Sequence, residues 1–438
     1  MLQFFRTHRR FVIYASLLVF LGIYNLDRLT ISIAGSSIAK EMELGPVAMG
    51  YLFSSILWLY AVCLLPSGFM ADRFGPKATA AVAAAFWSLF QGLSGLAFSA
   101  FTLLVTRLGN GAFEAAANPA AHATIREWTP RRERGMATAI WFFGSVGVPG
   151  LGAPILAWIV TTWGWRASFI ATGLLGFVWV ALWWAFYQSP DKATWLEPEE
   201  RDMIMRERDF EASADSETAA GHSLGYKGLF SAPTMWGLAL TQSCVNYVSY
   251  FFSAWLPGLL QHNYNLTVLQ TGSYTAIAYL ASAVTALILS YICDRVLTTD
   301  ALQAGKRRYA VGIANIIAAC VIFVPFAGSL PMAMVLLSIA HSGNAFAQSM
   351  NFALVNDRLK SSGDVGHAYA IFTLGGVSAG MLAPIVTGYL VQATGTFNSA
   401  MALTGCVALV GTMLTLFMTR RAIGEHLEQE AGAFSTAH

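Results

Sequence analysis

Apolar residues run along this chain for long stretches, and polar residues collect in short turns between them. A helix of about 20 apolar residues crosses a bilayer. On that measure twelve membrane spans are expected, over residues 11–38, 48–70, 77–99, 101–125, 134–158, 165–187, 234–260, 269–292, 308–327, 331–356, 366–391 and 397–419. One long polar interruption, from Gln188 to Ser231, separates the first six spans from the last six. It carries Glu197-Pro198-Glu199-Glu200-Arg201-Asp202, and a proline among acids suits a helix N-terminus, where the dipole favours negative charge. A short amphipathic helix on the membrane surface is expected there, followed by a flexible Ala/Ser/Glu stretch. The expected architecture is all-α, with two six-helix halves (1–187 and 232–420), a cytoplasmic linker (188–231) and a tail (421–438).

Composition agrees with a lipid-embedded chain: 56% of residues are hydrophobic and 11% charged, against about 25% charged in a soluble domain. The net charge of +2 comes from no single basic stretch, so nucleic acid is not an expected partner. Lipid is. If the N-terminus is cytoplasmic, twenty-two of the 26 Lys and Arg fall on that side; only Lys40 and Arg166 fall outside, and Arg28 and Arg107 lie within spans. Basic residues concentrate in cytoplasmic loops, so a multi-pass inner-membrane protein with both termini inside is expected. The run after Arg6, Arg9 and Arg10 is too long for a signal peptide and contains Asp27-Arg28. The five cysteines form no CxxC pair and are expected to be buried, unreactive thiols.

Two pairs of charges interrupt the apolar runs: Asp27-Arg28 in the first span, and Arg107 with Glu114 in the fourth. A charge at mid-bilayer costs at least ~2.5–3.5 kcal/mol and is by default functional. The four sum to zero, which also allows a plain helix-locking ion-pair network. Arg107 and Glu114 are two helical turns apart on one face, ~10.5 Å between Cα atoms, so each is expected to meet a group on another helix. An internal repeat is visible as well. Asp72-Arg73 follows the second span and Asp294-Arg295 the eighth, with Gly75-Pro76-Lys77 and Gly305-Lys306-Arg307 further on. Duplicated six-span halves with a ligand site near the midplane are a known transporter plan.

The stretch Gly68-Phe69-Met70-Ala71-Asp72-Arg73-Phe74-Gly75-Pro76-Lys77 resembles the loop signature of the major facilitator superfamily. Asn25-Leu26-Asp27-Arg28, Arg107 through Glu114, Trp163-Gly164-Trp165-Arg166, Tyr250-Phe251-Phe252 with Trp255-Leu256-Pro257, and Gly388-Tyr389-Leu390 resemble its anion:cation symporter family. The resemblance implies proton-driven import of a small organic anion by alternating access, with a sugar acid (hexonate, hexuronate or aldarate) as the substrate. It implies Asp27 and Glu114 as proton-binding carboxylates, Arg28 as the substrate-carboxylate arginine, Arg107 as counter-charge and Tyr60 as a cavity wall. Sugar-acid carriers of this family have Asn-Tyr before x-Asp-Arg, whereas this chain has Tyr24-Asn25. Ser145 stands where galactonate-type carriers have glutamine, and Gln348-Ser349-Met350-Asn351 where they have a Ser/Thr/Trp cluster.

In electrostatic terms, protonating Asp27 or Glu114 releases its arginine to take a substrate carboxylate through a bidentate pair. Proton and anion then favour each other's binding reciprocally. Protons are the coupling ion; no cofactor and no metal are expected. Asp72, Arg73, Asp294 and Arg295 are expected to act as gating charges at the cytoplasmic edge. The second half has no mid-membrane charge. There Asn246, Gln348, Asn351 and Thr373, with Gln242, Tyr247, Tyr250, Tyr274 and Asn344, are candidates to read hydroxyls, though each could equally be a helix–helix hydrogen bond. A monomer is expected to suffice. Alternatives are an importer of a non-sugar carboxylate, a drug:proton antiporter of the same fold (Gly144-x-x-Gly147-x-Pro149-x-x-Gly152 loosely resembles its motif), or a membrane sensor. No nucleophile–base pair, phosphate loop or metal spacing points to an enzyme.

Overall fold

A computed structural model describes residues 9–130, 133–207, 224–298, 301–302, 304–359 and 364–423. Much of the linker's Ala/Ser/Glu stretch and most of the tail lie outside them. In chain order the helices are α1 (Phe11–Ile33), α2 (Gly35–Glu41), α3 (Pro46–Ser94), α4 (Ala100–Glu114), α5 (Ala117–Trp128), α6 (Arg134–Phe186) and α7 (198–207). Then come α8 (Gly225–Ser231), α9 (Pro233–Tyr264), α10 (Val268–Val296) and α11 (Arg307–Ala318), the last running into a 3-10 turn at Ala319–Phe326. The series closes with α12 (Leu330–Arg358), α13 (Val365–Thr394) and α14 (Asn398–Met418). Among the described residues there is no strand, and eight helices are long and apolar enough to cross a membrane.

The twelve expected spans each find a helical segment once two long rods are divided. Gly75 breaks α3 at φ +75° and Gly164 breaks α6 at φ +82°. Backbone there lies in a region that only glycine enters without strain, so each rod is two spans joined by a tight turn. Gly305 (φ +71°) and Gly395 (φ +69°) occupy the corresponding turns of the second half, which gives the repeat a backbone signature. The first span ends early, at Ile33, and α2 carries the remainder.

The fourth span is not one helix, as 101–125 leads one to expect. It stops at Glu114 and restarts at Ala117. Pro119 has no N–H to give the Ala115 carbonyl four residues back. That carbonyl instead accepts from the buried Ser67 hydroxyl at 3.1 Å, which keeps it satisfied inside the span.

The chain forms two compact units: Met1–Asp215 with Ser253–Leu280, and Ser216–Phe252 with Ala281–His438. In the first, α6 lies close against α1. A side chain on Gly144 would strike the Leu18 carbonyl and one on Gly152 would strike Leu26, so the glycines of that run serve close helix packing. Ser32 donates to the Ala254 carbonyl (2.6 Å), and Phe53 meets Trp255 edge-on.

Tryptophans, which commonly anchor membrane proteins at the interface, are here often core. Trp87, Trp128, Trp141, Trp179 and Trp183 are buried, and Trp179 and Trp183 donate their indole N–H to the carbonyls of Ser16 and Lys77. A buried indole N–H usually finds such a partner, and for these two a helix carbonyl provides it, whereas the indole nitrogens of Trp87, Trp128 and Trp141 have none. The five cysteines are free thiols, in line with expectation, but they differ from it in burial: Cys244 alone is buried.

The linker's first segment is docked on this unit. Glu200 accepts from the backbone N–H groups of Arg9 and Arg10 (3.0 and 3.2 Å), where α1 has donors without helical partners. Arg10 pairs with both Glu200 and Glu133, Arg9 reaches the Trp195 carbonyl, and Trp195 stacks on Trp128. In the second unit Leu238, Val311, Phe346, Met350, Leu354 and Phe372 form the centre of the core. Asp364 there accepts from the backbone N–H groups of Leu224 and Gly225 at the start of α8.

Candidate functional site

Asp27 and Arg28 are neighbours on α1, and their side chains diverge as a ~100° step requires. Arg28 turns toward α4. Its Nε and Nη2 both donate to Oε2 of Glu114, at 3.0 and 2.9 Å, in a pair whose carboxylate is fully buried and whose arginine is one-tenth exposed. The guanidinium lies over the Tyr24 ring at 4.2 Å and the Tyr60 ring at 5.5 Å. Tyr24 is one helical turn before Arg28 and therefore shares its face. Asn25 is not in this group; its amide donates to the Leu21 carbonyl of its own helix (2.9 Å). The Tyr24-Asn25 order thus places a ring beneath the arginine. Tyr60 accepts from Asn118, just past the break after Glu114, at 3.2 Å.

Arg107 does not meet Glu114 or Asp27 in a hydrogen bond. It is wholly buried, and its Nη1 donates to Oε1 of Gln91 on α3 at 3.0 Å. Asn110 donates to the same oxygen (3.1 Å), and the Gln91 amide donates to Thr172 on α6 (2.9 Å). Asp27 is fully buried within electrostatic reach of Arg107, Glu114 and Arg28, yet neither of its oxygens has a hydrogen-bond partner. Thr172 faces it, but that hydroxyl gives its hydrogen to the Ser168 and Phe169 carbonyls and accepts from Gln91. Arg107 Nε, Asn110 Oδ1 and Glu114 Oε1 are likewise unpartnered. One buried and one slightly exposed cation, two buried anions and spare polar atoms make a cluster that is neutral in sum and incomplete in its bonds.

In the second unit four amides converge. Gln242 donates to Asn246 (3.0 Å) and Gln348 (3.3 Å) and accepts from Asn351 (2.9 Å). Asn246, Gln348 and Asn351, candidates on polarity alone, thus share one hub. Asn344 donates to Ser249 instead (2.6 Å), and Thr373 is half-buried and joins none of these bonds. Ser145 in the first unit bonds its own helix at Phe142.

The four gating candidates fare differently. Asp72 and Arg73 are exposed, with Arg73 over its neighbour Phe74. Asp294 pairs with Arg307 (3.0 Å), which also holds Asp357 (2.7 Å), while exposed Arg295 lies over Tyr291. Among the described residues no group of His, Cys, Asp and Glu is placed to hold a metal ion.

The Trp163-Gly164-Trp165-Arg166 motif has a structural task. The Trp165 indole N–H and the Arg166 guanidinium both donate to Glu41 at the end of α2, and Arg166 also reaches the Ala97 carbonyl after α3. These bonds, the indole's first, hold the Glu41 carboxyl below its usual range.

Residues 13–366 and 259–437 match the model of the Major Facilitator Superfamily. The chain belongs to that superfamily. It is 29% identical to the probable galactarate/D-glucarate transporter GarP of Escherichia coli (strain K12), over 94% of this chain and 95% of that one. To the probable L-galactonate transporter of the same strain it is 30% identical, over 93% and 89%. These relatives bear out the resemblance read from the motifs. Among solved structures, the inward-open xylose transporter XylE from E. coli superposes with a TM-score of 0.71 at 14% identity, covering 95% of this chain and 98% of that one, and shows the fold. A major facilitator protein is a multi-pass membrane transporter and not an enzyme.

Within this superfamily member, sequence reasoning missed Gln91, Asn110, Asn118, Thr172 and the hub Gln242's connections. One signal was available for two of them. Asn110 lies one turn beyond Arg107, and Asn118 one turn beyond Glu114, on the faces that carry the charges.

Proposed function

We propose that this chain is a proton-coupled importer of a sugar acid working by alternating access, with Arg28 as the receptor for the substrate carboxylate. The observation that carries this is Arg28 itself, a one-tenth-exposed cation held by the Glu114 carboxylate and the Tyr24 and Tyr60 rings. When Glu114 takes a proton it no longer competes for the guanidinium, and an incoming carboxylate can accept the two N–H groups that Glu114 gave up. Tyr24 and Tyr60 hold the guanidinium in place during the exchange. Asp27 is the second proton site. An ionised carboxylate buried with both oxygens unpaired costs several kcal/mol, and a bound proton removes that cost. Arg107 remains inside as counter-charge.

The amides around Gln242 offer donors and acceptors without charge, which suits the hydroxyls of a polyol chain. The relatives named for galactarate, D-glucarate and L-galactonate support the substrate class. Protons are the only coupling species in this scheme and no cofactor takes part; a single chain, in the inner membrane with both termini cytoplasmic, carries it out. Asp72, Arg73, Asp294 and Arg295 act as gating charges, so neutralising Asp72 slows transport without changing which substrates compete. Against a drug antiporter, Gly144 and Gly152 are engaged in packing on α1, and Arg28 is placed to receive an anion rather than a cation.

Proteoliposomes with an acidic exterior, challenged with labelled hexonates, hexuronates and aldarates, test the proposal. Accumulation of at least one class above its outside concentration is expected, and it collapses when a protonophore is added. Uptake of none, or accumulation indifferent to the proton gradient, overturns it.

A further inference from the structure

Gln91 occupies a position that the exchange at Arg28 does not use. Its single carbonyl oxygen accepts from both Arg107 and Asn110, and its amide N–H is spent on Thr172. That pattern fixes the orientation of the amide, because the reverse would set an NH2 group against a guanidinium. Arg107 is therefore bound to a neutral oxygen while a carboxylate, Asp27, lies within electrostatic reach of it and keeps both oxygens unpartnered. A carboxylate adds the attraction of a full opposite charge, undamped by water in a buried site, to what a neutral oxygen offers a guanidinium, so this arrangement is not the one Arg107 would adopt without a competitor. The charged groups facing Asp27 are Arg107 and Glu114 from α4 and Arg28 from its own helix, with neutral Thr172 facing it from α6.

We infer that Gln91 is a positioning residue: it holds Arg107 off Asp27 and so keeps that carboxylate available to a proton. The inference rests on the reading of Asp27 as a proton site. Without Gln91, Arg107 closes on Asp27 and the ion pair resists protonation. With a carboxylate at position 91, Arg107 is held more firmly and a further negative charge lies near Asp27.

The test is infrared difference spectroscopy on the purified full-length protein, titrated with acid. The protonated-carboxyl band of Asp27 is assigned by its loss in Asp27→Asn. In Gln91→Leu the midpoint of that band moves to lower pH by about one unit or more, a tenfold or greater loss of proton affinity, in line with a carboxylate gaining an arginine. In Gln91→Glu it moves to higher pH. If the leucine variant does not fold, Gln91→Met, of similar length and without the amide, is read in its place, because the added charge of Gln91→Glu raises the midpoint under either role. A merely structural role for Gln91 lowers thermal stability and leaves the midpoint of the leucine or methionine variant at the wild-type value, which overturns the inference while the proton-site reading survives. Absence of any Asp27-dependent band overturns both. No substrate is added, so the titration decides the role of Gln91 whether or not the protein imports a sugar acid.

Discussion

Replacing Glu114 with glutamine removes the charge that competes with substrate for Arg28 while keeping the side chain's size. Two Arg28 N–H groups donate to Oε2, at 3.0 and 2.9 Å, against a fully buried carboxylate. Breaking a buried pair by removing one partner leaves about 3–5 kcal/mol uncompensated. The Tyr24 and Tyr60 rings, at 4.2 and 5.5 Å, recover about 1–2 kcal/mol of that for the stranded cation. An incoming carboxylate then gains the remaining ~1–4 kcal/mol, because it no longer has to displace an anion. That is a factor of about 5 to 700 in affinity. Titration calorimetry of Glu114→Gln with whichever sugar acid the wild type accumulates should therefore show tighter binding near neutral pH and little dependence on pH. Counterflow should persist while accumulation driven by a proton gradient is lost. Weaker binding in the variant, with normal folding, would refute the idea that Glu114 and substrate compete for one guanidinium. So would a pH dependence of binding equal to the wild type's.

Three further outcomes follow from other parts of the molecule. Tyr24→Phe keeps the ring under Arg28 and should leave KM within about twofold, whereas Tyr24→Leu removes a stacking contact of about 1 kcal/mol and should raise KM about fivefold; equal damage from both would mean that the hydroxyl, not the ring, matters. Gln242→Leu strips the hub from Asn246, Gln348 and Asn351, each bond being about 1 kcal/mol, and should reorder the competition series of sugar acids while the slope of uptake against pH stays as in the wild type. The Glu41 carboxyl is held below its usual range, so its clasp is fully present above that range and is lost only as the pH falls through the lowered value. Glu41 is about half exposed, so solvent screening limits the gain: Glu41→Gln should lower the melting temperature by about 1–2 °C at pH 7, with the gap closing below about pH 4 and still present at pH 5. A gap that widens on acidification would contradict that sign.

What could be read from sequence, and what could not, divides along charge. Asp27, Arg28, Arg107 and Glu114 stand out because ionised groups are costly in an apolar run and so rarely occur there without cause. The twelve spans stand out for the complementary reason, since the bilayer sets their length. Neutral polar residues carry no such mark. A buried amide contributes on average ~0.6 kcal/mol between membrane helices, too little to separate Gln91 or Gln242 from an ordinary helix contact. The break after Glu114 was written in Pro119, but where the freed Ala115 carbonyl would find its donor depended on Ser67, nearly fifty residues earlier.

The pairing of the four charges was hidden most deeply of all. Composition treats Asp27 and Glu114 as equivalent carboxylates in a neutral quartet. Their surroundings are not equivalent: Glu114 is tied to the arginine that faces the tyrosines, and Asp27 is left unbonded beside an arginine bound elsewhere. A transporter that couples two events needs two sites that respond differently. That asymmetry arises from one neutral side chain on a third helix, Gln91, and from the one-turn spacing of Tyr24 and Arg28. Neither is a charge, and each determines what a charge can do.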